Sequence, residues 1–282
     1  MIREHEEAGG SNPKGFDPQE LLRSMEKARS KTGDQDKTKA YEAQQLVYEA
    51  WEAATDELEA ELMSRALELN PRNVDALLYT LEAAKLDPET EIEALRKIVA
   101  SGEQDLGPKR FKEFAGHFWI AMETRPYMRA RHRLADSLRD IGRLDEAIIE
   151  YDAMLILNPN DNQGVRYLLL PLYLTTGRLE PARELLGKYR EFEFSAVFAW
   201  CRVLERILSG DQSGAKNALA TARKQNPNVQ AYIKGQRKLP RELPASYSPG
   251  SKEEAVCFAD VLRAAWGKHP EALKWLATQK IK

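Results

Sequence analysis

One spacing recurs along this chain and limits what it can fold into more than any other feature. Counted from Gly142, Ala147 follows at +5, Tyr151 at +9, Met154 at +12 and Pro159 at +17. Counted from Gly210, the same offsets of +5, +9, +12 and +17 give Ala215, Leu219, Ala222 and Pro227. Gly177 leads in the same way to Ala182, Leu186 and Tyr189, with Phe194 in place of the proline. The three glycines stand 35 and 33 residues apart. A period of this length marks a helix–turn–helix unit repeated in tandem. Glycine permits the positive φ needed where the first helix ends. A small residue five positions on lets the second helix approach closely, and the next two apolar residues stay on its face. One hairpin cannot bury both of its faces, so the units must stack. Upstream, Ala66 and Met63 precede Pro71 as Met154 and Tyr151 precede Pro159.

The rest of the chain supports helices and little else. Beyond Tyr41 there is no sustained alternation, and Leu58, Leu62, Ala66 and Leu69 keep helical spacing. Breakers at Asn70-Pro71, Asp87-Pro88, Gly107-Pro108, Arg125-Pro126, Asn158-Pro159, Gly177 and Asn226-Pro227 are expected to end one helix or begin the next. Residues 1–39, rich in glycine and mixed charge, read as a flexible tail with a short helix at 18–29. Residues 40–282 read as one all-α solenoid, since no linker divides them. Near the C-terminus, Ser251-Lys-Glu-Glu254 has the form of a capping box opening a helix over 252–266, and 270–278 predicts a short last helix. Residues 245–282 are thus expected to cap the array, or to fold back into its groove.

These residues resemble tetratricopeptide repeats. The clearest copy is 128–161, with Leu134, Ala135, Leu138, Gly142, Ala147, Tyr151 and Pro159; the copies at 164–194 and 195–228 are degenerate in their first helices. Arg131 stands where the repeat usually has tryptophan, and Met154 where alanine is typical. The stretch 41–276 also resembles a bacterial family of tetratricopeptide proteins of undefined role. The segments that carry this are Gly-His-Phe-Trp at 116–119, Glu-Thr-Arg-Pro-Tyr-Met-Arg-Ala-Arg at 123–131, Asn-Pro-Asn-Asp-Asn-Gln-Gly at 158–164, Arg166-Tyr167, and a tail from Tyr232 to Leu276. That tail is similar, more weakly, to the C-terminal part of the suppressor-of-tumorigenicity proteins. The resemblance implies a non-catalytic scaffold whose first helices line a concave groove for a peptide or partner helix.

On that reading the groove candidates are Arg129, His132, Arg133 and Asp136, with Asn162, Arg166 and Tyr167 in the next repeat. Arginines grip carboxylates bidentately, and an aromatic beside them adds contact area. The carboxylate clamp of chaperone-binding members is not reproduced, because His132 and Asp136 occupy the places of its Lys and Asn. An ordinary solvated helix face is the competing reading. The amides of 158–164 read first as helix caps. Phe111, Phe114, Phe118 and Met122 are spaced as one helical stripe packing on the following helix.

Two alternatives stand beside the groove. Lys216, Arg223, Lys224, Lys234, Arg237, Lys238 and Arg241 fall in a window free of acids, with Tyr232 interleaved, and suit nucleic acid or an acidic partner. A formal net charge of −2 weighs against nucleic-acid binding by the chain as a whole. His117, Arg129, His132 and Asp136 are the nearest thing to an enzymatic or ligand site. Histidine spacing fits no metal motif, Cys201 and Cys257 form no CxxC, and there is no GxSxG, GxxxxGK[ST] or GxGxxG, so no metal and no cofactor is expected. The charged start and the absence of a long apolar run predict a cytoplasmic protein outside the membrane, monomeric or homodimeric.

Overall fold

The computed structural model describes residues 37–190 and 194–279, and these are helical with no strand among them. The expected helix at 18–29 lies outside the described residues. The described helices fall into two compact units, and the chain passes from one to the other between Asn160 and Asp161, inside the Asn158–Gly164 turn. No helix among the described residues is long and apolar enough to cross a membrane.

The first unit holds three hairpins: α1 (Lys37–Ala50) with α2 (Asp56–Leu69), α3 (Val74–Ala83) with α4 (Pro88–Glu113), and α5 (Arg125–Asp140) with α6 (Leu144–Leu157). The first helices pack in series, α1 on α3 and α3 on α5, while α2 meets α3 and α4 meets α5. One expectation holds here and one is corrected. Gly107-Pro108 divides α4 as a breaker should, because Gly107 takes the non-helical φ 64 and ψ 167 and helix begins again on Pro108. The supposed stripe of Phe111, Phe114, Phe118 and Met122 is not one helix: α4 stops at Glu113, Gly116 turns the chain with φ 81, and Met122 is exposed. Phe118 is fully buried regardless, its ring 5.0 Å from Phe111, with Phe111 in turn 5.3 Å from Tyr127 of α5. The aromatic core on α5 therefore forms, half of it from a loop.

The second unit begins with two hairpins, α7 (Arg166–Thr175) with α8 (Leu179–Lys188) and α9 (Ala196–Leu208) with α10 (Gln212–Gln225). Gly142, Gly177 and Gly210 all have positive φ, at 81, 74 and 76, each just past a first helix. Behind each, a backbone N–H reaches back five residues: Arg143 to Leu138, Arg178 to Tyr173, Asp211 to Arg206. That is the Schellman stop expected of these glycines. Ala147, Ala182 and Ala215, five residues on, are completely buried.

Four short helices follow: α11 (Val229–Ile233), α12 (Lys252–Cys257), α13 (Ala259–Gly267) and α14 (Pro270–Thr278). The helix expected over 252–266 is interrupted at Phe258, so α12 and α13 are separate. Ser251 does cap α12, accepting from the Glu254 N–H at 3.0 Å. The return bond goes elsewhere: Glu254 accepts from Gly250 N–H at 2.7 Å, and the Ser251 N–H is held by the Ser248 carbonyl. Helix α13 packs on α7 and α9, the first helices of both hairpins. Trp266 of α13 meets Trp200 of α9 edge-on at 6.1 Å, both rings fully buried. The C-terminal segment thus covers the first-helix face of this unit.

Cys201 is sealed in that core, and burial pushes its thiol well above the usual range. In an Ellman's titration of the native protein, Cys201 is expected to stay silent and to react only on denaturation, because the thiolate is the nucleophile. Fast labelling of Cys201 in a Cys257→Ser variant would show that the core opens.

Candidate functional site

In the first unit, the arginines read as groove ligands already hold carboxylates of the chain itself. Asp75 sits buried near the start of α3. Arg129 grips it bidentately, Nε at 2.7 Å and Nη2 at 2.6 Å, while Gln44 of α1 donates to it at 2.9 Å. Three first helices are tied by this chain of bonds. The Arg129 guanidinium also lies 5.1 Å from the ring centre of Trp51, which is 46% exposed. Arg133 donates to Glu91 Oε1 at 3.0 Å, and Ser137 donates to the same oxygen at 3.1 Å. Asp136 accepts from Arg139 at 3.0 Å and from the Tyr151 hydroxyl. Burial, reinforced by the Asp136 charge, raises the Tyr151 phenol far above its ordinary value. His132 Nε2 stands 3.8 Å from Asp136, and its ring meets Tyr151 at 6.1 Å. His117 is exposed in the loop after α4, and among the described residues no bond or ring contact joins it to Arg129, His132 or Asp136. Of the residues of the enzymatic alternative, Arg129, His132 and Asp136 share α5, and His117 makes no contact with them among the described residues. No three His, Cys, Asp or Glu side chains among the described residues converge as for a metal ion.

In the second unit, the turn before α7 is built by Asp161. It takes φ 49, unusual for a non-glycine residue, and its side chain accepts from the N–H groups of Val165 at 2.8 Å and Arg166 at 2.9 Å. These are orphan donors at the start of α7, so this turn caps the helix, as its composition predicts. Arg166 Nη1 completes the knot, 2.8 Å from Asp161 Oδ2. Burial outweighs these bonds and lifts the Asp161 carboxyl above its usual range. Arg166 is thus a buried structural cation, and its guanidinium lies 4.6 Å from the centre of the Tyr167 ring.

Around this knot an open cavity of about 400 Å³ is lined by Asn162, Gln163, Arg166, Tyr167, Tyr247 and Phe258, among others. Phe258 is flanked by Tyr167 at 5.6 Å and Tyr247 at 5.4 Å, forming a cluster of three rings. Asn162 and Tyr247 are exposed. The arrangement offers ring faces and edges for an apolar side chain, with amides beside them for a peptide backbone. Of the groove candidates, Asn162, Arg166 and Tyr167 do share this one cavity. Tyr247 and Phe258 are not found by sequence reasoning. They lie 80 and 91 residues beyond Tyr167, in a proline-rich stretch and at a helix junction, where no periodicity marks them.

The basic window is only partly what its sequence suggests. Arg223 is engaged, donating to Gln230 Oε1 at 2.8 Å and to the Gln279 carbonyl at 3.1 Å. Tyr232 is buried and unavailable for stacking. Lys216, Lys224, Arg237, Lys238 and Arg241 are exposed, and Lys234 half-buried.

Neither a family model nor a curated protein matches this chain.

Proposed function

We propose that this chain is a tetratricopeptide-type interaction module, without catalytic activity of its own, that holds an extended peptide at the mouth of α7. The observation that carries the reading is the three-ring cavity beside the exposed amide of Asn162. Serial packing of first helices in the first unit, and the glycine stops with their buried alanines, support the repeat assignment. Since α13 covers α7 and α9, the peptide has the cavity at the end of that face, not its full length. An aromatic or proline side chain fills the ring cluster, and Asn162 pairs with the peptide backbone.

The test is selection of a random peptide library on wild type, followed by affinity measurement on Tyr247→Ala and Asn162→Ala. Both positions are exposed, so both variants are expected to fold. Truncating an aromatic anchor is worth about 2 kcal/mol, so Tyr247→Ala should weaken the selected peptides roughly 30-fold. Peptides that bind the variants as tightly as wild type would place the site elsewhere, and a library that yields no binder would count against a peptide module.

A further inference from the structure

The near-zero charge of the chain conceals a division. Residues 161–282 hold 20 Lys and Arg against 12 Asp and Glu, a formal charge of +8. Residues 1–160 hold 22 against 32, a formal charge of −10, which together restores the net −2. The excess in the second unit is not spent on internal pairs. In the first unit arginines meet carboxylates one after another, Arg72 with Asp105, Arg129 with Asp75 and Arg143 with Glu146. In the window 212–241, by contrast, Lys216, Lys224, Lys234, Arg237, Lys238 and Arg241 meet no carboxylate among the described residues.

We infer that these six cations form a surface that binds the phosphate backbone of nucleic acid without reading its sequence. Placement supports this. Lys216 and Arg223 are seven residues apart on α10, hence on one face. Arg223 does not contribute charge to a ligand; it bonds Gln230 and so fixes the end of α10 against α11. Directly after α11, Gly235 turns with φ 66, and the N–H groups of Gln236 and Arg237 both return to the Ala231 carbonyl. Lys234, Arg237 and Lys238 are therefore held close beside that junction, with Arg241 following. A protein partner would need an apolar anchor. Between residues 212 and 241 no large apolar side chain is exposed, and the one tyrosine is buried. Residues 212–241 thus present cations with neither an exposed apolar side chain nor an exposed ring of their own, which suits phosphates.

The experiment is fluorescence anisotropy of the full chain with a 20-nucleotide single-stranded RNA and a 20-base-pair DNA duplex, from 50 to 200 mM NaCl. Six phosphate contacts predict a log–log salt slope of about −4 for the single strand and about −5 for the duplex, so affinity should fall at least about 100-fold over that range. Lys234→Glu/Arg237→Glu/Lys238→Glu should flatten the single-strand slope by about 2. A charge-matched triple, Lys252→Glu/Arg263→Glu/Lys268→Glu, alters exposed positions of the same unit outside the window and should leave the slope unchanged. Circular dichroism establishes that both triples fold. No binding at 50 mM, or equal losses from the two triples, would overturn the proposal. Tighter binding to polyglutamate than to either nucleic acid would assign the surface to an acidic polypeptide instead. Low-salt dimers that exclude RNA would assign it to the acidic residues of a second copy.

Discussion

Glu254→Ala is expected to lower the stability of the second unit by about 3–5 kcal/mol, more than any surface change in the chain. The side chain is 1% exposed and accepts three hydrogen bonds from three separate segments. Oε1 takes the Ala196 N–H at 2.9 Å, the first amide of α9. Oε2 takes Asn226 Nδ2 at 2.9 Å, at the end of α10, and the Gly250 N–H at 2.7 Å. Alanine would leave the buried Ala196 N–H unmet and the half-buried Gly250 N–H without this acceptor, while Asn226 Nδ2 would keep only its bond to the Ser251 carbonyl at 2.8 Å. A buried donor left unmet costs about 1–3 kcal/mol, offset in part by no longer burying a carboxylate. Glu254→Gln is the sharper variant. Its amide NH2 must face either Ala196 N–H or the other two donors, so it should still lose about 2 kcal/mol or more. Urea melts followed by tryptophan fluorescence report this directly, since Trp200 and Trp266 lie in the same unit. A Gln variant as stable as wild type would mean that a donor is tolerated there, and the three-acceptor arrangement would be wrong.

That node also shows where sequence reasoning reaches and where it stops. Helical hairpins are legible because their signals are local: a glycine stop, an alanine five residues on, a proline at the end. Each acts within a few turns of chain, and Gly142, Gly177 and Gly210 do take the backbone angle that a helix stop needs. Ser251 capping Glu254 N–H is legible for the same reason. What Glu254 does with its carboxylate is not, because Ala196 lies 58 residues away. Phe118 misleads in the opposite direction. Its spacing from Phe111 and Phe114 is helical, yet Gly116 intervenes, and a core residue in a loop keeps no period. The cavity depends on the same kind of distance, joining Tyr167 to Tyr247 and Phe258. Exposed charge is the hardest to read, since helical periodicity shows which arginines face outward from a helix but not which carboxylate waits on the next one.

The second large effect follows from that last point. Asp75→Ala is expected to cost about 2–4 kcal/mol in the first unit, and Arg133→Ala less than about 1 kcal/mol. The two arginines of α5 look alike in sequence, four residues apart on one face. Their partners differ. The Asp75 side chain is 3% exposed and holds both Arg129 nitrogens and Gln44, so removing it strands a bidentate guanidinium and an amide between three helices. Arg129 remains 28% exposed and reaches water in part, which is why the expected loss falls below the full value for a buried pair. Arg133 is 50% exposed, and its bond to Glu91 is screened by solvent. Thermal melts of Asp75→Ala, Arg129→Ala and the double variant form a cycle, with a coupling of about 1–3 kcal/mol expected. Additive single effects would show that the pair is not energetically linked, and Arg129 would then be available to a ligand after all. Coupling of the expected size has a consequence for any search for partners. Reversing Arg129 to glutamate would set a second carboxylate against buried Asp75 and damage the fold itself, so a partner lost from that variant would say nothing about a groove. Arg133→Glu, weakly held and exposed, is the substitution that separates binding from folding on α5.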